Sequence, residues 1–124
     1  MNFIEFREKY IDKFQDLYFI FEPDVGYIVW RFGTGENVEL LHIRAFTTGK
    51  GDGPRLIKMM LEKLKENPPY FSVFGFLLDE NIPMKKVYNK MGFNLVEGLV
   101  GPYKHGKSCL MWQDYKVLCE KNGI

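Results

Sequence analysis

A chain of 124 residues is long enough for one domain, and its 46% hydrophobic and 16% aromatic content can fill a core. A formal net charge of +1 gives no electrostatic reason to expect a nucleic acid or an anionic membrane as partner. No uninterrupted apolar run approaches membrane-spanning length. The two cysteines, Cys109 and Cys119, lack framework or metal-site spacing, so we expect reduced thiols and no metal in a cytoplasmic protein.

Aromatic and aliphatic residues recur at steps of three and four near the N-terminus, which predicts a helix over residues 3–18. The segment 17–22 can instead form a short first strand. Residues 26–32 are rich in β-branched and aromatic residues and predict a strand. A turn over 33–37 returns the chain as a second strand over 38–46, which makes a β-hairpin.

A glycine-rich turn follows the second strand of this hairpin and leads straight into a helix predicted over residues 54–66. The helix ends before Pro68, because a residue that precedes proline avoids helical angles. Backbone N–H groups at a helix start lack partners inside the helix and carry the positive end of its dipole. A strand, a glycine turn and a helix start together therefore predict a phosphate site at residues 49–53.

Residues 71–78 are apolar and predict a buried strand, parallel to strand 38–46 because a helix connects the two. Gly75 within it suggests a bulge or the close approach of another backbone. A second helix follows, with Pro83 in its first turn and Gly92 at its end. Residues 94–100 and 108–115 predict a final pair of strands, and residues 116–124 a polar tail.

The glycine turn does not match the two commonest phosphate-binding patterns. Its glycines, Gly49, Gly51 and Gly53, are spaced one residue too tightly for the dinucleotide fingerprint. A P-loop needs Ser or Thr after its Gly-Lys pair, and here Gly51 follows Lys50. The turn therefore belongs to another class of phosphate loop.

The segment from Thr48 to Gly53 resembles the pyrophosphate loop of the GCN5-related N-acetyltransferases (the GNAT family), written R/Q-x-x-G-x-G/A, with Thr48 in place of Arg or Gln. A second segment is similar to another signature of that family. Asn81 is followed after seven residues by Tyr88, and Gly92-Phe93 comes four and five residues later. The two motifs stand in the family's order with a strand between them, and the resemblance covers residues 26–115.

The resemblance implies an α/β fold of the α+β type, a mixed and twisted sheet with a central splay and helices on both faces. It implies that acetyl-CoA, as co-substrate, lies in that splay between strands 38–46 and 71–78. Its pyrophosphate would rest on the glycine loop and its pantetheine would pair with strand 38–46. The cofactor-binding residues implied in this way are Ile43, Arg44, Ala45, Thr48, Gly49, Lys50, Gly51, Asp52, Gly53, Asn81 and Tyr88.

The resemblance also implies direct transfer of the acetyl group to a primary amine in a ternary complex. An amine with a pKa of about 10 must lose a proton before it attacks a thioester, and the leaving thiolate needs one. We predict Tyr88 as the acid, although its apolar helical face also fits a packed core tyrosine. Glu39, the acid within strand 38–46, is either the general base or half of a salt bridge at the edge.

Other polar residues leave alternatives open. Asn81 can cap the second helix, contact the cofactor, or do both. Strict alternation places Glu39 on one face with Leu41 and Ile43, and His42 on the other face as a structural histidine. Tyr103 and His105 lie in a loop that can cover the acceptor or remain solvated.

The acceptor can be a small molecule or a protein amine, and the oligomeric state is open, a homodimer included. A second function from a different class is a non-catalytic acyl-CoA-binding or protein-interaction module on the same fold. Thr48 and the short N-terminal region favour that alternative, whereas Tyr88 and Glu39 favour catalysis. The whole chain, residues 1–124, is predicted to be one domain.

Overall fold

The protein structure is a computed structural model, and it describes residues 1–33, 36–68, 71–102 and 106–124. Six strands form one sheet in the order β1-β2-β3-β4-β6-β5. They are β1 Tyr18–Glu22, β2 Gly26–Phe32, β3 Val38–Ala45, β4 Ser72–Leu78, β5 Asn94–Leu99 and β6 Ser108–Asp114. The helices are α1 Phe3–Phe6, α2 Asp52–Leu64, α3 Ile82–Met91 and α4 Tyr115–Asn122. The mixed sheet confirms the predicted fold class.

The N-terminal helix is shorter than predicted. α1 continues as a wider π-helical turn over Arg7–Ile11, and the chain then leaves the helix. The alternative strand forms instead, because β1 pairs in antiparallel register with β2 from Tyr18 opposite Trp30 to Glu22 opposite Gly26. The hydrogen bonds of that edge pairing outweigh the helical periodicity of residues 12–18, which a single-sequence pattern cannot foresee.

β3 and β4 are the parallel pair of the sheet, and they stay paired over a short distance. The register joins Val38 to Val73, Glu39 to Phe74 and Leu40 to Gly75. Beyond Leu40, β3 pairs only with β2 on its other side. The predicted splay is therefore present, and it opens toward the end of β3 that leads into the glycine loop.

Helices cover both faces of the sheet, as the fold class implies. On one face, α2, α3 and α4 pack against a large core in which Leu56, Ile57, Met60 and Leu61 are fully buried. On the other face, α1 and its continuation cover β1, β2 and β3 around a smaller cluster whose buried members are Phe6, Tyr27 and Val29.

The prediction of a polar tail over residues 116–124 is wrong, because α4 occupies most of it. Leu118 is completely buried, and the hydroxyl of Tyr115 donates to the carbonyl oxygen of Leu61 at 2.9 Å. The side-chain amide of Asn122 donates to the carbonyl oxygen of Met91, also at 2.9 Å. Two buried residues, Tyr115 and Leu118, anchor this helix, and its polar residues Lys116, Glu120, Lys121 and Asn122 made the segment look like a solvated tail.

The helices α2 and α3 form where they were predicted, except that α2 begins earlier. α2 begins at Asp52, two residues earlier than predicted, because Gly51 takes a left-handed conformation (φ 77°) as its N-cap. In α3, Asn81 accepts a hydrogen bond from the Met84 amide at 3.3 Å, as a cap does. The predicted C-terminal cap is present: Gly92 has φ 101° and the Phe93 amide donates to the Tyr88 carbonyl.

Candidate active site

The splay between β3 and β4 contains a cavity of about 350 Å³, here called the splay cavity. Residues 40–44 of β3 and 76–78 of β4 form two of its walls. Asn81, Met84 and Tyr88 close it from the start of α3, and Tyr10 and Tyr27 line it from the other face of the sheet. The structure thus brings together Ile43, Arg44, Asn81 and Tyr88, which were predicted from widely separated segments.

The glycine loop lies between the splayed end of β3 and the start of α2. Gly49 and Gly51 have φ of 82° and 77°, and nothing lies within 4 Å of a Cβ built on either one. Arg55 is the first residue whose amide bonds back along the helix, to the Gly51 carbonyl at 3.2 Å. Pro54 carries no N–H. The Asp52 and Gly53 amides therefore remain available to bind an anion. The negatively charged carboxylate of Asp52, at the same loop, would repel an anion.

Tyr88 is a packed core residue that also lines the splay cavity, and its role as the acid stays a prediction. Its side chain is 4% exposed, and its ring packs edge-on against Phe93 at 5.4 Å between ring centroids. The same residue lines the splay cavity. A tyrosine held by core packing at a cavity wall has few conformations, so a ligand that fills the cavity meets it in a set position.

Glu39 forms the edge salt bridge that was one of its two predicted roles. Its Oε1 accepts hydrogen bonds from Nη2 and Nε of Arg31, at 2.9 and 3.1 Å. The residue lines a separate cavity of about 530 Å³ that also contains Asn37 and Phe74. Neither Glu39 nor that cavity's other residues line the splay cavity.

The prediction that His42 lies opposite Glu39 is wrong, because a β-bulge interrupts β3. Val29 pairs with His42 and Trp30 pairs with Leu40, so Leu41 is an extra residue. Leu41 packs in the smaller cluster beneath α1, whereas Ile43 packs in the large core on the opposite face. The bulge therefore turns both Leu41 and His42 toward the α1 face.

The ring of His42 lies 4.8 Å from the ring of Tyr10, between centroids. Its surroundings lower the pKa of the imidazole, chiefly through burial and then through the positive charge of Lys9. Within the described part of the chain, its ring nitrogens make no hydrogen bond. The lowered pKa favours the neutral imidazole, and His42 lines the splay cavity rather than serving as a structural histidine with its partners satisfied.

Two tyrosines that were not predicted as site residues join this wall. The hydroxyl of Tyr27 donates to the hydroxyl of Tyr10 at 3.0 Å. Burial, followed by that hydrogen bond, raises the pKa of Tyr27 to about 12. The phenol of Tyr27 therefore stays protonated at neutral pH. The aromatic face of the N-terminal helix was a signal for Tyr10, but the contact with Tyr27 depends on tertiary packing.

A further cavity of about 280 Å³ adjoins the splay cavity on the α1 face. It shares Tyr10, Leu41 and His42 with the splay cavity, so the two meet at the bulge of β3. We call it the aromatic cavity, defined by Tyr10, Phe14, Gln15, Leu17, Arg31, Leu41 and His42, of which Gln15 and Arg31 are polar at the side-chain end. His42 is therefore accessible from both cavities.

Three further observations concern only the described residues. No group of three or more His, Cys, Asp or Glu side chains there is placed to hold a metal ion. No helix there has the length and apolar character needed to cross a membrane. The loop residues Tyr103 and His105, which were considered for acceptor binding, lie outside the described part of the chain.

Neither a protein-family model nor a curated protein matches the sequence. Solved structures do match the fold. Arabidopsis thaliana NAA60 in complex with acetyl-CoA is 18% identical with a TM-score of 0.69, over 92% of this chain and 84% of that one. A putative GNAT-family acetyltransferase from Desulfovibrio desulfuricans is 15% identical with a TM-score of 0.69, over 90% and 76%.

Ard1 from Thermoplasma volcanium is 22% identical with a TM-score of 0.63. That match covers 73% of this chain but 62% of the Ard1 chain, so the protein spans less than two thirds of that structure. At these identities the likeness concerns the fold, which is the one that the two sequence motifs predicted.

Proposed function

We infer, from the GNAT fold of this chain and from its splay cavity, that the protein transfers an acetyl group from acetyl-CoA to a primary amine. The observation that carries the inference is the splay beyond Leu40 and Gly75. It leaves one edge of β3 unpaired next to a cavity that Asn81 and Tyr88 line. An unpaired strand edge offers N–H and C=O groups to an extended amide-bearing arm such as pantetheine.

The cofactor would lie along the chain from the loop to the splay. The Gly51 to Gly53 amides at the start of α2 would hold the pyrophosphate, with Thr48, Gly49 and Lys50 at the loop. Ile43, Arg44 and Ala45 would present the strand edge, and Asn81 would contact the arm while it caps α3. The acetyl group would then lie deep in the splay cavity.

In the proposed transfer, the bonds that form and break and the protons that move can be followed one by one. The amine nitrogen attacks the thioester carbonyl carbon, the C–S bond breaks, and the sulfur leaves with the bonding electrons. Tyr88 would donate a proton or a hydrogen bond to that sulfur, since a phenol is an adequate acid for a thiolate whose thiol pKa is about 8.5. Direct transfer needs no protein nucleophile.

The transfer also needs a general base that accepts the proton of the amine. Glu39 was predicted for it, and that role stays a prediction. We favour His42, because it lines both the splay cavity and the aromatic cavity, whereas Glu39 lines neither and is held by Arg31. A neutral imidazole at the junction of two ligand cavities is well placed to accept a proton.

The acceptor would enter from the α1 face, where the aromatic cavity opens beside His42. A small molecule and a protein amine are both compatible with the fold. The alternative function, an acyl-CoA-binding module without catalysis, draws support from Thr48 in the loop and from the carboxylate of Asp52 in the first turn of α2.

Release of CoA from acetyl-CoA, measured against a panel of amines with the acetylated products identified by mass spectrometry, tests the proposal. We expect amine-dependent CoA release with a matching acetylated product. Saturable binding of CoA without amine-dependent release across the panel would support the binding module and overturn the enzymatic function.

A further inference from the structure

Resting on the proposed acetyl transfer, we propose that the acceptor is a compact monoamine with an aromatic or branched apolar stem, and that its stem fills the aromatic cavity. This proposal selects one substrate class within the proposed function. Size, wall chemistry and charge each support it independently.

The size of the aromatic cavity fits a small stem. Its volume of about 280 Å³ lies just below the range of about 300–1,000 Å³ that is typical of ligand sites. A cavity of this kind can enclose a benzyl or isobutyl group with a short alkyl linker. A peptide acceptor would leave most of its length outside this cavity, so the part of the acceptor that the cavity encloses is compact.

The walls of this cavity favour an apolar stem with a π face. Tyr10, Phe14 and His42 present rings to it, and Leu17 and Leu41 add aliphatic surface. Phe14 is 59% exposed, and within the described chain its ring stacks on no other ring. Exposed aromatic area that faces a cavity gains most when an apolar ligand covers it, and ring pairs add to that gain.

The charges around the cavity disfavour a second cation on the acceptor. Lys9 lies with its Nζ 5.3 Å from the centroid of the Tyr10 ring, Arg44 lines the splay cavity and Arg31 lines the aromatic cavity. The carboxylate of Glu39 pairs with Arg31 and offsets its charge, so Lys9 and Arg44 are the cations that repel a second ammonium group. A polyamine would bring extra positive charge beside these cations, whereas a monoamine brings one charge and loses it on reaction.

The positive charges around the cavities also assist the reaction of a bound monoamine. Cations close to an ammonium group favour its neutral form, which is the nucleophilic one. The amine would then lie beside His42, at the junction with the splay cavity, with its stem directed toward Phe14. Its nitrogen would face the thioester carbon, and its proton would pass to His42.

The substrate test compares wild-type kcat/KM for 2-phenylethylamine, isoamylamine, spermidine and a short peptide with a free N-terminus. We expect the two monoamines to exceed spermidine and the peptide by about 10-fold or more, the discrimination that a small apolar pocket can supply. Phe14→Ala should reduce kcat/KM for 2-phenylethylamine by about 10-fold and change that for ethylamine little. Phe71→Ala is the matched control, because Phe71 is 53% exposed and lies outside both cavities.

A binding measurement separates this proposal from the proposed function. Calorimetry on protein saturated with CoA should show that 2-phenylethylamine binds more tightly than spermidine, and that Phe14→Ala weakens it. That result upholds the aromatic cavity as an amine site even if acetyl transfer fails. Acetylation of spermidine or of the peptide in preference to the monoamines would uphold the acetyltransferase and overturn the substrate class. Equal losses for ethylamine and 2-phenylethylamine in Phe14→Ala would also overturn it.

Discussion

Gly75 stands opposite Leu40 at the last paired position of β3 and β4, where a Cβ on Gly75 would lie 2.7 Å from the Leu40 carbonyl oxygen. The same Cβ would also lie 2.7 Å from the terminal methyl of Met111 on β6. The absence of a side chain at Gly75 thus lets three strands approach closely just before the splay begins. The sheet opens immediately after this contact.

Gly75→Ala should destabilise the protein by about 1–3 kcal/mol, because the backbone of β3 cannot move away as a flexible side chain can. Urea unfolding followed by circular dichroism measures the change. Gly53→Ala is the matched control: its Cβ would lie 3.6 Å from a Val87 methyl, an ordinary contact, and alanine favours the helix. Equal destabilisation by the two substitutions would contradict the role given to Gly75.

CoA should raise the melting temperature of the wild type, because a ligand that binds the folded state alone stabilises it. Gly51→Val should abolish that shift, since Gly51 has φ 77° and a β-branched residue there distorts the loop. Gly123→Val is the control, with φ 68° at the end of α4 and equally open surroundings. A full shift in Gly51→Val, measured by scanning fluorimetry, would remove the loop from cofactor binding.

Tyr88→Phe should keep the fold and the affinity for CoA, because the ring still packs on Phe93. We expect kcat to fall by roughly 10- to 1,000-fold, as for loss of one acid or one transition-state hydrogen bond. Steady-state kinetics with Tyr18→Phe as an exposed control measures this. A rise in KM with kcat unchanged would indicate a binding role instead.

His42→Gln should lower kcat/KM at pH 7 by roughly 10²- to 10⁴-fold if His42 accepts the amine proton. The wild type should be level from about pH 7 to 9 and lose activity as the pH falls through the lowered pKa of His42, below 6.5. In the variant, activity should rise about tenfold per pH unit over pH 7–9, because only the neutral amine reacts and its pKa is about 10.

Glu39→Gln is the matched variant for this pH experiment, since Glu39 lies on the same strand and face but in another cavity. We expect a loss of less than about tenfold for it, at all pH values alike. A loss of about 100-fold at pH 7 that shrinks at high pH would instead make Glu39 the base. The groups that can influence the profile face His42 from four elements, namely Lys9, Tyr10, Tyr27, Arg31, Glu39, Arg44 and Tyr88.

Leu118→Ala should destabilise the protein by about 2–5 kcal/mol, as expected for a fully buried leucine. Denaturant unfolding measures the change, with Lys116→Ala as a control on the exposed side of α4. A shift smaller than about 0.5 kcal/mol for Leu118→Ala would mean that α4 does not belong to the core.

The strands and helices that were predicted well are those whose sequence carries a complete local signal. α3 has a capping Asn81, a proline in its first turn and Gly92 at its end, and the structure contains that helix with both caps. β4 was recognised from its continuous apolar run. In each case the residues that determine the helix or strand lie within it, so the local sequence is sufficient to predict it.

The sequence by itself determined the parallel pair and the glycine loop, because local patterns encode them, and its two spaced motifs carried the resemblance that implied the fold class, the splay and the place of Tyr88. Only the tertiary structure decided three other features: the strand at 18–22, the helix at 115–122 and the face on which His42 lies. The strand needs β2 as its partner, and the helix depends on burial against α2 and α3. One extra residue in β3 reverses side-chain alternation, and that residue is extra only because Val29 and Trp30 pair around it.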